Sequence, residues 1–395
     1  RPRAPASVGR PIRHFSDGRR NGNCTLFNAY VQSSESAGRQ LVPACDESQA
    51  SIIRQPNEAF SNSWEALDGL GRDMELRITS RQTTAAAESS AGSATHNIGS
   101  GAAYTHIVVV VMGWNTVQEE AVRNINSLVW NMEQAGKRHS PTPELVFNPL
   151  VIGVTWPSQW SSDWLDPAIK ILSFPTKAGD ADEVGMSWLG VLLHDTLATI
   201  RSKTGLPVVV LGHSFGAKAS SVAACAGPAV VRSKEAPTIP LATVDVLVSL
   251  QPAYLSERIF GRTSWLQNVV YPNGCRPNVG PQVGRFVITA SAGDKAVPLP
   301  FWGTYLGEDR SYRKFCSADY DGPVLANCAV AHADGDVELT RPGTSSIYYV
   351  DASKLISENA YGTGGGSHSD IYRIEHGWLI YAAVMGEGIW VKSGR

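Results

Sequence analysis

The stretch Leu206-Pro-Val-Val-Val-Leu-Gly-His-Ser-Phe-Gly-Ala-Lys218 constrains this chain more than any other. A short apolar run ends in Gly212-His213-Ser214-Phe215-Gly216, and small, helix-tolerant residues follow. The pattern predicts a strand that turns sharply into a helix, with a serine at the apex. Such a turn is tight and strained, so the positions two before and two after the serine need almost no side chain. The helix that follows aims its N-terminus at the serine hydroxyl, where backbone N–H groups favour developing negative charge.

The same strand-then-helix rhythm recurs along most of the chain. Ile107–Val111, Leu150–Thr155, Val208–Leu211, Val244–Leu250 and Phe286–Ala290 are apolar runs of strand length, and Ser346–Val350 is expected to be the last strand. Between them, Ala121, Ile125, Leu128, Val129 and Met132 form one helical stripe, and Ala181–Arg201 repeats the pattern with Val184, Trp188, Val191 and Leu192. Ile371–Met385 is expected to be a final amphipathic helix. Continuous apolar strands alternating with helices imply an α/β fold, a mostly parallel sheet with helices on both faces.

The first part of the chain is less regular. Residues 1–20, rich in Arg, Pro and Gly, suggest an extended arm. Alternation over Cys24–Ser34 and Met74–Thr84 suggests two early strands, with a short helix around Trp64–Leu70 between them. Thr83–Gly101 is almost purely Ala, Ser, Thr and Gly and is expected to be a flexible surface insertion. The expected organisation is therefore an N-terminal region over 1–103 and a core over 104–395, the early strands and the core forming one structural domain.

Composition narrows the function. With 395 residues and a formal net charge of −2, and no Lys/Arg-dense block, the chain does not suit a nucleic-acid partner. Its longest apolar runs are far too short to span a bilayer. The first residue is Arg rather than Met, which fits removal of an export signal. Cys24 with Cys45, and Cys316 with Cys328, form two local pairs of the kind a secreted or periplasmic enzyme carries. Cys225 is expected to be a buried free thiol, and Cys275 is left unassigned. No CxxC, HExxH or paired His/Cys spacing suggests a metal site, and nothing calls for a cofactor.

A serine nucleophile needs a base, and the base needs an orienting carboxylate. In chain order after Ser214, Asp294 lies in the loop Ser291-Ala-Gly-Asp-Lys-Ala-Val-Pro298 that leaves the Phe286–Ala290 strand. His368 lies in the glycine-rich loop Thr363-Gly-Gly-Gly-Ser-His-Ser-Asp370 before the last helix. Asp245 is the rival acid, but it falls inside an apolar strand; Asp370 suits a helix N-terminus better. His213 is expected to project the wrong way, His194, His106 and His376 fall in or beside regular elements, and His332 is a loop alternative. The backbone N–H groups of Phe215 and Trp114 are the expected oxyanion donors. Trp114, Trp156, Trp160, Phe301 and Trp302 sit on loops expected at the same edge and are candidates to line an acyl pocket.

On these motifs the chain resembles the α/β-hydrolase superfamily, and is most similar to its bacterial esterase/lipase-like members. The resemblance rests on Gly212–Gly216, on Met112-Gly113-Trp114-Asn115-Thr116, on Trp156-Pro157-Ser158 and on His368, and covers roughly residues 104–385. Where the family carries a histidine before the glycine of the early loop, this chain has Met112. The resemblance implies serine ester hydrolysis through an acyl-enzyme without a cofactor, on a small-molecule, lipid or polymer ester. A same-fold hydrolase of an amide, a thioester or a diketone carbon–carbon bond is the alternative, and a non-catalytic binding protein of this fold a remoter one.

Overall fold

The computed structural model describes residues 12–13, 24–28, 56–90, 103–113, 118–139, 147–156, 178–232, 239–260, 283–296, 304–358, 366–386 and 391–392. Among them, strands β1 (Ile12–Arg13), β2 (Cys24–Asn28), β3 (His106–Val111), β4 (Pro149–Thr155), β5 (Val208–His213), β6 (Val244–Leu250) and β7 (Val283–Ala290) precede β8 (Asn327–Ala331), β9 (Val337–Arg341), β10 (Ile347–Asp351) and β11 (Val391–Lys392). They form one 11-stranded sheet in the order β1-β2-β4-β3-β5-β6-β7-β10-β8-β9-β11. From β2 to β8 in that order every neighbouring pair is parallel; β1 and β9 attach antiparallel. The β-branched runs explain the parallel block: β3, β4 and β5 are buried on both faces almost throughout.

Helices cover both faces. The helices are α1 (Pro56–Ser90), α2 (Gln118–His139), α3 (residues 178–204), α4 (Phe215–Ala226), α5 (Glu257–Phe260), α6 (Asp309–Phe315) and α7 (Ile374–Met385). Ile107, Val109 and Val111 of β3 join α1, α3 and α4 in one core cluster, while Val108 and Val110 join α2 and α7 in the other. That split follows from the two-residue period of a strand. The helical stripe Ala121, Ile125, Leu128, Val129 and Met132 is buried, as its spacing predicts. Helix α3 carries two π-type segments, Gly185–Leu189 and Leu192–Thr196, and Ser187 leaves helical geometry at φ −106°, ψ −117°. Among the described residues no helix is long and apolar enough to cross a membrane.

Five expectations are corrected. Met74–Thr84 is not a strand, and Trp64–Leu70 is not a separate short helix; both belong to α1. Trp64, Leu67, Leu70, Met74 and Ile78 are buried at helical spacing, whereas Leu76, which completes the apparent alternation, is 71% exposed. Residues 83–90 continue α1 instead of opening a flexible insertion, with Thr83 and Thr84 donating their hydroxyls to the carbonyls of Thr79 and Ser80. Ser346–Val350 is not the last strand, because β11 follows and the β8–β9 hairpin precedes it. Cys225 is disulfide-bonded, not a free thiol; it sits half-buried in the last turn of α4 and not sealed in the core. Cys316 and Cys328 are bonded to each other, across a separation of 12 residues. Residues 1–11 and 14–20 of the expected N-terminal arm, residues 91–101 of the expected insertion, Cys45 of the expected Cys24–Cys45 pair, and Cys275 lie outside the described residues.

Candidate functional site

Because β3, β5, β6, β7 and β10 are parallel, the loops leaving them all emerge at one edge of the sheet. Ser214 stands at that edge between β5 and α4, at φ 57°, ψ −122°. It makes no side-chain cap to α4, so its hydroxyl is not spent on the helix terminus. The turn is pinned by its main chain: Ser214 N–H donates to Leu250 O at 3.0 Å, and Ala253 N–H donates to Ser214 O at 3.3 Å. A Cβ on Gly216 would lie 2.2 Å from Val111 O, so only glycine lets the helix start press against the end of β3.

The loop after β3 closes on the serine in the same way. A Cβ on Gly113 would lie 2.8 Å from Ser214 Cβ and 2.9 Å from His213 O. Just before it, Met112 O accepts the indole N–H of Trp156 at 2.8 Å. Trp156 is itself buried, and so acts on the site by fixing this loop and not as an open wall. Phe215 is the first residue of α4, a position whose backbone N–H has no acceptor within its own helix. Trp114, Trp160, Phe301 and Trp302, the remaining candidates for the oxyanion hole and pocket, lie outside the described residues.

Asp294 and His368 meet. His368 Nδ1 donates to Asp294 Oδ2 at 2.8 Å, both side chains being buried. A carboxylate accepts only, so it fixes the proton on Nδ1 and leaves Nε2 with its lone pair. The two loops are tied along their backbones: Ser367 N–H donates to Gly293 O at 2.9 Å, and Asp294 bridges to Gly366, which adopts φ 62°. Ser291 and Ser367 both donate their hydroxyls to Ile356 O. Asp370 accepts the N–H groups of Ser357 and Glu358 and the Arg373 guanidinium, which anchors the far side of the His368 loop.

His213 does not project away from this edge. Its ring centroid lies 4.9 Å from that of His368, and its Nε2 donates to the His368 carbonyl at 2.9 Å. Burial, helped by the nearby imidazole of His368, pushes the His213 imidazole down to about 3, so it stays neutral as a brace. It ties the serine turn to the loop that carries His368. Asp245, the rival acid, is at the opposite end of β6, where it accepts from Arg201 and from Val208 N–H. His332 pairs with Glu338 in the β8–β9 hairpin, and His194 and His376 are buried in helices.

Three roles were not legible in the sequence. His213 faces His368 because the chain turns sharply at the next residue, Ser214, at φ 57°. The bracing role of Trp156 depends on a contact between residues far apart in the chain. Gln251, fully buried after β6 at φ 44°, donates to Asp294 Oδ2 at 3.0 Å. Among the described residues, no group of three or more His, Cys, Asp or Glu side chains is placed to hold a metal ion. No protein-family model matches this chain, and a search of curated proteins finds no significant match.

Proposed function

We propose that this protein is a serine hydrolase of the α/β-hydrolase fold, cleaving carboxylic esters through an acyl-enzyme. The observation that carries this reading is the 2.8 Å bond from His368 Nδ1 to Asp294 Oδ2, made at the sheet edge that also holds Ser214 at φ 57°. A hydroxyl on a strained turn at a helix start, an imidazole with one nitrogen free, and a carboxylate fixing the other nitrogen are the parts that acyl transfer requires. The parallel sheet with these three groups on loops from its carboxyl edge supports the fold reading.

In this mechanism Ser214 Oγ attacks the ester carbonyl and His368 Nε2 takes its proton. The Phe215 N–H, with that of Trp114 as second donor, holds the oxyanion while Asp294 stabilises the imidazolium. His368 then protonates the departing alkoxide. Water, deprotonated by the same nitrogen, releases the acid and restores Ser214. Ester hydrolysis by these groups calls on no cofactor. The disulfides of Cys225 and of Cys316 with Cys328 favour an oxidising compartment, secreted or periplasmic. The substrate is an ester of a small molecule, a lipid or a polymer.

A fluorophosphonate probe, which acylation-competent serines attack, tests the reading. The wild-type protein is expected to be labelled on Ser214, with Ser214→Ala unlabelled, and p-nitrophenyl esters are expected to turn over faster than matched amides or diketones. An unlabelled wild type that hydrolyses none of the panel would overturn it.

A further inference from the structure

Gln251 follows directly on Leu250, whose carbonyl takes the Ser214 N–H, so it starts from the strand that pins the serine turn. It is buried without exposure and adopts φ 44°, a backbone region that non-glycine residues rarely enter. Its hydrogen bonds explain why it is held there. The Gln251 N–H donates to Thr289 Oγ1 at 2.9 Å, and the same hydroxyl donates to Gln251 Oε1 at 3.0 Å. The amide nitrogen Nε2 then donates to Asp294 Oδ2 at 3.0 Å and to Gly307 O at 3.3 Å.

Both partners of Nε2 are acceptors without a proton, and the hydroxyl that reaches Oε1 has one to give. The orientation of the amide is thereby fixed by its surroundings. Asp294 Oδ2 receives two donors, Gln251 Nε2–H and His368 Nδ1–H, while Oδ1 receives the Ala296 N–H at 3.0 Å. With the amide gone, the oxygen that faces the imidazole would be held by the imidazole alone.

We propose that Gln251 is a positioning residue for the Asp294–His368 pair, fixing the carboxylate oxygen that orients the imidazole. The assignment rests on the hydrolase reading above. It acts through Asp294 and touches no reacting atom. Thr289 serves it in turn, by fixing which end of the amide faces the acid.

Two substitutions test this. Gln251→Leu removes the donor, and kcat and the fluorophosphonate labelling rate are expected to fall about 10- to 100-fold with KM unchanged. Gln251→Glu keeps the shape but sets a second carboxylate against Asp294 Oδ2. Its kcat relative to wild type is expected to be lowest at alkaline pH and to recover as pH falls, because the new carboxyl then gains a proton and donates. A residue needed only for packing would give a loss that does not follow pH in that way. Should Gln251→Leu fail to fold, the Gln251→Glu profile alone decides. The proton NMR signal of His368 Nδ1–H, expected at low field in wild type and displaced in the variants, reports on the pair even where Ser214 proves unreactive. A labelled wild type together with variants that keep its kcat would overturn the role of Gln251 and leave the hydrolase reading standing. An imidazole proton signal unmoved by both substitutions would also overturn it, whatever Ser214 does.

Discussion

Ser214 and Gln251 hold left-handed backbone at the ends of adjacent strands, at φ 57° and φ 44°. Each such residue costs about 1–3 kcal/mol and persists only where its surroundings over-determine it. Here Leu250 O fixes the first and Thr289 Oγ1 the second. Gly113, like Gly216, has no latitude, since a methyl there would lie 2.8 Å from Ser214 Cβ. Gly113→Ala is expected to cost about 1–3 kcal/mol of stability through overpacking. On the hydrolase reading it is also expected to slow ester turnover about 100-fold by displacing the hydroxyl. Urea denaturation and p-nitrophenyl ester kinetics on the same preparation separate the two effects. At this scale the sequence was legible where chemistry and spacing coincide, as at Ser214, and at the loops that carry Asp294 and His368. It was silent on Gln251, because a glutamine after an apolar strand looks like any turn residue until its backbone angle is known.

Elements were legible wherever burial was two-sided. The runs of β3 to β7 could satisfy their apolar side chains only inside a covered sheet, and their positions were readable to within a few residues. The first hundred residues were harder, for a reason visible in α1. Met74, Leu76 and Ile78 alternate, but the stripe Leu67, Leu70, Met74 and Ile78 is what the core takes up, leaving Leu76 in solvent. Short β8 and β9 escaped because five-residue pairs with mixed polarity carry little period. Between elements, Asp182 of α3 joins Lys218 of α4 at 3.0 Å and Arg258 of α5 at 3.1 Å, all largely buried. Burial alone would raise the Asp182 carboxyl, but the two cations outweigh it and hold it below the ordinary carboxylate range. Burial likewise pushes the Lys218 ammonium down to about 8, against the attraction of Asp182. Asp182→Ala strands two cations out of water and is expected to destabilise the protein by about 3–5 kcal/mol, read from the urea midpoint.

The whole molecule carries a built-in sensitivity to acid. Burial lowers His213 to about 3 and His376 to about 4, and lowers His194 as well, from an ordinary 6.5. His194 is fully bonded when neutral, donating to Ala223 O and accepting from Ala242 N–H. Below about pH 6.5 an unfolded chain takes up protons that the folded one refuses, so these groups favour folding above that pH. Stability is therefore expected to fall as pH drops from 6.5 toward 4, His213 and His376 contributing across that whole range and His194 adding in the same direction. Urea titrations across that range check the slope, which a flat profile would contradict. The parallel sheet has a consequence of another kind. The loop of His368, which meets the serine turn at His213, follows β10 in the chain. During translation, on the hydrolase reading, the nascent polypeptide carries its hydroxyl long before it carries a base. Activity then waits until that loop has been made, and a ribosome stalled anywhere before it releases an inert product.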